Sequence, residues 1–129
     1  MKAMRVNPDT LMKPLAAYHQ VVRKGSTVAV AGMVGIDSDG NIVGEGDIVA
    51  QTRKSLENMQ ACLEAVGATM NDVIKTTIYL TDLENYKGMN AAYNEFLEEI
   101  APARATVLVA LALPALLVEI EALAIVGDD

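Results

Sequence analysis

The sequence predicts an α+β domain in which a mixed β-sheet carries two helices on one of its faces. Three observations predict it. Two stretches place apolar residues at helical spacing, five others have the β-branched content or alternation of strands, and their order lets right-handed crossovers set both helices on the same side. At 129 residues the chain can bury one core but is short for two, so residues 1–129 read as a single domain.

The first two strands lie in AYHQVVRKGSTVAVAGMVG, where Lys24-Gly25-Ser26 separates two β-branched runs and reads as a hairpin turn. Asp37 to Asn41, DSDGN, is a second turn. Val49, Leu56, Met59, Leu63 and Val66 then recur at helical spacing, with Asp47 as N-cap and Gly67 as the stop. DVIKTTIYLTD reads as a strand with Ile74, Ile78 and Leu80 on one face. A second helix runs through Leu83, Tyr86, Met89, Tyr93, Phe96 and Ile100, capped by Thr81 or Asp82 and weakened slightly by Gly88. Pro102 ends it. Arg104 to Leu113 and Leu117 to Val126 read as two strands joined in a hairpin about Pro114-Ala115.

Those last strands are apolar on both faces, since Val118, Ile120, Ala122 and Ala124 alternate with Leu123 and Ile125. No helix remains to cover the second face, so a further copy of the same chain is its expected cover.

Composition narrows the function. A net charge of −7 argues against a nucleic-acid partner, because phosphate contacts draw on clustered Lys and Arg. The longest uncharged run, Ala105 to Val118, contains Pro114 and falls short of the roughly 20 residues of a membrane-spanning helix. No secretory signal pattern opens the chain, and the single cysteine, Cys62, rules out an intrachain disulfide; a cytoplasmic location is expected. One Cys and one His can form neither a Cys-rich nor a His-rich metal site. Cys62 reads as a buried inert thiol, His19 as a surface or structural residue, and the seven methionines as a plastic core.

Arg104, Glu119 and Glu121 stand out in this apolar region. Residues two apart in a strand share a face, so the two carboxylates point the same way. In the expected hairpin Arg104 lies within a few pairings of them, making a site that could hold an anionic small molecule beside an acid or base. Solubilising charges on a solvent-facing strand are the plain alternative, and spacing does not decide between the two.

PAR-A-T-V followed by LP…VEIEALA, together with QTRKSLENM, DVIKTTIYLTDL and MNAAYNEFL in the same order, resembles the RidA (YjgF-like) family of reactive intermediate deaminases over nearly the whole chain. The resemblance implies a chorismate-mutase-like fold, a homotrimer with the open sheet face buried and clefts between subunits, and no metal or organic cofactor. It also implies an activity: hydrolysis of enamine or imine intermediates, such as 2-aminoacrylate and its imine tautomer, to 2-oxo acids and ammonia. Arg104 matches the family arginine that binds the substrate carboxylate, and Glu119 the carboxylate that handles the water and the nitrogen proton. Tyr18 and Asn90 match pocket residues, and the backbone near Thr106 matches the segment that positions the water. Where the family commonly has Ser-Gly-Gln, this chain has Ala31-Gly32-Met33; where it has Gly-Pro before the tyrosine and Ser after, this chain has Ala16-Ala17 and His19. A more apolar pocket is therefore expected. A non-catalytic trimer that binds 2-oxo acids is the competing function. Ribonuclease activity, reported for some relatives, is disfavoured by the acidic charge and the lack of a His pair.

Overall fold

The computed structural model describes residues 2–127. Its strands are β1 (Met4–Val6), β2 (Val21–Lys24), β3 (Thr27–Val34), β4 (Val73–Leu80), β5 (Ala103–Leu108) and β6 (Val118–Ile125), with helices α1 (Ile48–Ala65) and α2 (Tyr86–Leu97). They form one sheet in the order β1-β2-β3-β6-β4-β5, antiparallel throughout except for the parallel pair β4 and β5. This is the α+β architecture expected, with β1 an addition that the sequence reading did not contain.

The local signals act as their chemistry dictates. Gly25, at φ 62°, makes the tight turn between Lys24 and Thr27, which pair across the hairpin. The Asp47 carboxylate accepts from the Ala50 N–H at the start of α1. At its end Gly67 takes φ 78°, while Ala68 N–H donates to the Leu63 carbonyl and Gly67 N–H to that of Glu64. That is the paired arrangement a left-handed glycine permits. Leu56, Met59 and Leu63 on α1 and Met89 and Leu97 on α2 are fully buried against Val28, Ile78, Leu80, Val118 and Ile120. Gly88 is required for this packing, since a Cβ there would stand 2.7 Å from Ile48 Cγ2.

Two expectations are corrected. Ile74 does not share a face with Ile78 and Leu80: a register shift between Val73 and Lys75 turns Val73 inward and leaves Ile74 about half exposed. Leu83, expected to begin the second helix, lies exposed in a 3₁₀ turn, Leu83–Asn85, which Asp82 caps by accepting from Glu84 N–H.

The larger correction concerns β5 and β6. They do not pair as a hairpin about Pro114; β4 lies between them, and the segment 109–117 carries the chain past its end. Gln51 holds that segment, donating through Nε2 to the Ala115 carbonyl at 2.9 Å and accepting through Oε1 from Leu117 N–H at 2.8 Å. The apolar character of β6 on both faces reflects its central place: Val118, Ile120, Ala122 and Ala124 are buried beneath the helices, while Leu123 and Ile125 emerge on the helix-free face with Val107.

Candidate functional site

On the helix-free face, Glu119 stands against the backbone of β3. The register of β3 on β6 shifts between Val30 and Met33, and in that irregular stretch Ala31 N–H turns to the Gln20 carbonyl at 2.9 Å. Gly32 is thereby brought so close to Glu119 that a Cβ on it would collide with the carboxylate. Burial, and secondarily the neighbouring Glu121, push the Glu119 carboxyl above its ordinary range. Glu121 accepts a short hydrogen bond from the Tyr79 hydroxyl on the adjacent strand, which raises the phenol in turn. Gly32→Ala is expected to displace the Glu119 carboxylate with little change in melting temperature, since the methyl meets a flexible side chain on a half-open face. A crystal structure and a thermal melt of the purified variant check both halves.

Beside Gly32 opens a mostly apolar cavity of about 250 Å³, with Leu11, Met12, Leu15, Met33 and Leu113 among its walls and Tyr18 at its rim. Leu15 is 88 % and Tyr18 52 % exposed. Met33 lines this cavity from the core side: it is buried, and its Sδ lies 3.8 Å from Cys62 Sγ. Cys62 is buried in turn, and burial raises its thiol to about 12, which matches the inert role expected. Asn58 steadies the strand end by donating to the Val34 and Ile36 carbonyls.

Arg104 is elsewhere. Its strand partner is Thr76, a helix-face residue, so its side chain rises toward α2 rather than toward Glu119. There Nη2 donates to the Tyr86 hydroxyl at 3.2 Å, and Cζ lies 5.0 Å from the Tyr93 ring centroid and 5.9 Å from that of Tyr86. It forms no ion pair among the described residues. Asn90 sits on the same helix at spacing four and three from these tyrosines, with its Oδ1 shielded from solvent and unbonded. Thr106 follows Arg104 on the same face of β5. Val109 N–H donates to the Leu80 carbonyl, so by alternation the backbone polar groups of Arg104 and Thr106 point to the free edge of the sheet.

Within one chain, then, the expected residues fall into two groups. Tyr18, Ala31, Gly32, Met33 and Glu119 gather around β3 and β6, whereas Arg104, Thr106 and Asn90 gather at the β5 edge. The hairpin expectation had put Arg104 within a few pairings of Glu119; the two residues occupy opposite faces, two strands apart. Tyr86 and Tyr93 were read only as apolar helix positions, although Tyr86, Asn90 and Tyr93 at i, i+4 and i+7 could have marked one functional face. No group of three or more His, Cys, Asp or Glu side chains able to hold a metal ion occurs among the described residues, and no described helix is long and apolar enough to cross a membrane.

The profile of the family described as Endoribonuclease L-PSP matches residues 9–126. A RutC family protein of Pyrococcus horikoshii is 43% identical over 112 residues, covering 87% of this chain and 89% of that one. The crystal structure of YyfA from Yersinia pestis, described as a protein of unknown function in the conserved Rid family, superposes with a TM-score of 0.89 at 31% identity, covering 97% of this chain and 100% of the other. That of TdcF from E. coli with bound serine gives 0.88 at 31% identity, covering 96% and 99%. With sequence, fold and order of elements in agreement over almost the full length, the chain belongs to the Endoribonuclease L-PSP family, the YjgF/Rid proteins.

Proposed function

We propose that this protein hydrolyses reactive enamine and imine forms of amino acids to 2-oxo acids and ammonia, in clefts between the subunits of a homotrimer. The observation that carries the reading is Arg104, a half-buried guanidinium with aromatic contacts and no carboxylate partner among the described residues. Such a fork is free to bind a substrate carboxylate at two points. The bound serine of TdcF, an amino acid with that same carboxylate, supports it. Because Arg104 and Glu119 lie on opposite faces of one sheet, one copy supplies the arginine and its neighbour the glutamate. The exposed Val107, Leu123 and Ile125 give those copies an apolar surface to share.

In the reaction, carbon 3 of the enamine takes a proton from the Glu119 carboxyl, giving the iminium, the protonated imine. Water adds to carbon 2 and yields its proton back to the carboxylate. The C–N bond of the resulting carbinolamine then breaks as a proton reaches nitrogen, the hydroxyl proton is released, and ammonia and the 2-oxo acid remain. A carboxyl held above its ordinary range by burial suits the acid step, and the Arg104 clamp keeps carbon 2 near the water.

Imines generated in place by an amino acid oxidase test the activity. Faster imine loss with the protein than without it is expected, and more so for the leucine and methionine imines than for that of serine, because the cavity beside Gly32 is largely apolar. No acceleration with any imine sinks the enzyme reading, and 2-oxo acid binding without turnover would install the regulatory one, to which Ala31, lacking a hydroxyl, lends itself. The acidic charge and the exposed single histidine do not favour the ribonuclease activity in the family's description. Sedimentation equilibrium should give a trimer at micromolar concentration; a stable monomer there contradicts the shared cleft.

A further inference from the structure

We infer that Tyr93 is a positioning residue, which holds the Arg104 guanidinium ready for a carboxylate by stacking beneath it while its own hydroxyl is anchored by Thr76. The inference rests on the reading of Arg104 as the carboxylate clamp. Arg104 and Thr76 are register partners on β5 and β4; Thr76 Oγ1 and the Tyr93 hydroxyl share a hydrogen bond at 2.7 Å; and the Tyr93 ring centroid lies 5.0 Å from Arg104 Cζ. The three residues close a triangle that spans two strands and a helix. Two of its corners are buried, Thr76 fully and Tyr93 all but 5 %, so the ring cannot drift.

What this arrangement does follows from the donors of a guanidinium. An arginine held by a carboxylate spends the same N–H groups that a substrate needs, and the substrate must displace its partner. An aromatic face attracts the cation without accepting any of those N–H groups. Among the described residues one of them is taken, by the Tyr86 hydroxyl. The rest of the fork stays available, and the side chain is ordered before the ligand arrives, which lessens the entropy lost on binding.

The test compares Tyr93→Leu with the conservative Tyr93→Phe. Tyr93→Leu should raise KM for the imine, and Kd for 2-oxobutanoate by calorimetry, about tenfold, with kcat within about threefold. Tyr93→Phe keeps the ring and should hold both constants within about threefold of wild type. Side-chain NMR gives a direct signature: the Arg104 Nε–H and δ-methylene signals, assigned by their loss in Arg104→Lys, should lie upfield in wild type and Tyr93→Phe and move to random-coil positions in Tyr93→Leu. A purely structural tyrosine would lower Tm and the active fraction in Tyr93→Leu while KM stayed put, and that result overturns the inference. Should Tyr93→Leu fail to fold, random-coil Arg104 signals in the wild type do the same. Wild type that binds 2-oxobutanoate but hydrolyses no imine removes the deaminase reading alone, and the positioning role is then decided by Kd and the Arg104 signals. Wild type that binds no 2-oxo acid overturns both.

Discussion

Arg104→Lys is expected to lower kcat/KM for imine hydrolysis by about thirty- to a thousandfold, the equivalent of about 2 to 4 kcal/mol. Charge is preserved in this variant, so the loss reports geometry. A lysine ammonium is a compact donor that cannot grip a carboxylate with two parallel bonds. It is also more strongly hydrated, and it gives up the planar contact that Arg104 makes with the Tyr93 and Tyr86 rings. A carboxylate held at one point can rotate and carry carbon 2 away from the water. Steady-state kinetics, taken after circular dichroism and sedimentation establish an intact fold and assembly, provide the measurement. Near-wild-type kinetics would reduce Arg104 to an edge-strand charge of no catalytic consequence.

Glu119→Gln should act on kcat instead, by about a hundred- to ten-thousandfold with KM little changed, because an amide can still hydrogen-bond but cannot pass a proton. The direction of its pH dependence follows from burial. The Glu119 carboxyl is raised by desolvation and by Glu121, so the form able to donate a proton is depleted as pH rises through that raised value, and activity limited by donation falls there. The same shift has a stability sign. Above the raised value the folded protein holds an ionised carboxylate in a half-buried place, a cost that the unfolded chain does not bear; below the ordinary carboxyl range both states are protonated and the cost vanishes. Glu119→Gln should therefore melt higher than wild type at neutral pH, and the gap should close on acidification. A gap independent of pH would show that burial is not what perturbs this group.

The parts of the fold that were legible are those written in short-range chemistry. Gly25 could only be a turn between two β-branched runs, and Asp47 and Gly67 bracket α1 as cap and stop. The three-residue β1 was not legible, because MRV is too short to show alternation and its first two residues are exposed. The placement of β6 was beyond reach for another reason. Pro114 between two apolar strands has the local appearance of a hairpin, and only pairing with residues about forty positions earlier, such as Ile78 with Ile120, shows that β4 comes between. That single error set Arg104 on a strand beside β6, from which β4 separates it. Gly32 lies against Glu119, and Arg104 forms no ion pair among the described residues, neither of which the hairpin picture depended on. Met33 lines the cavity and faces the core thiol as well, which its position in an alternating strand with a register shift concealed.

The position of β6 also dictates the order in which the molecule can be made. It is synthesised after every other element described, yet it is the strand that joins β3 to β4, which do not pair with each other. Until Val118–Ile125 arrives, the β1-β2-β3 meander and the β4-α2-β5 unit have no strand between them, although α1 packs on both β3 and α2, and each has an open inner edge. Translation at about 5 to 20 residues per second leaves those edges uncovered for seconds. Closure of the sheet therefore needs the last strand, and a nascent chain stalled before Val118 would offer β-edges that a chaperone or another unfinished chain could pair with.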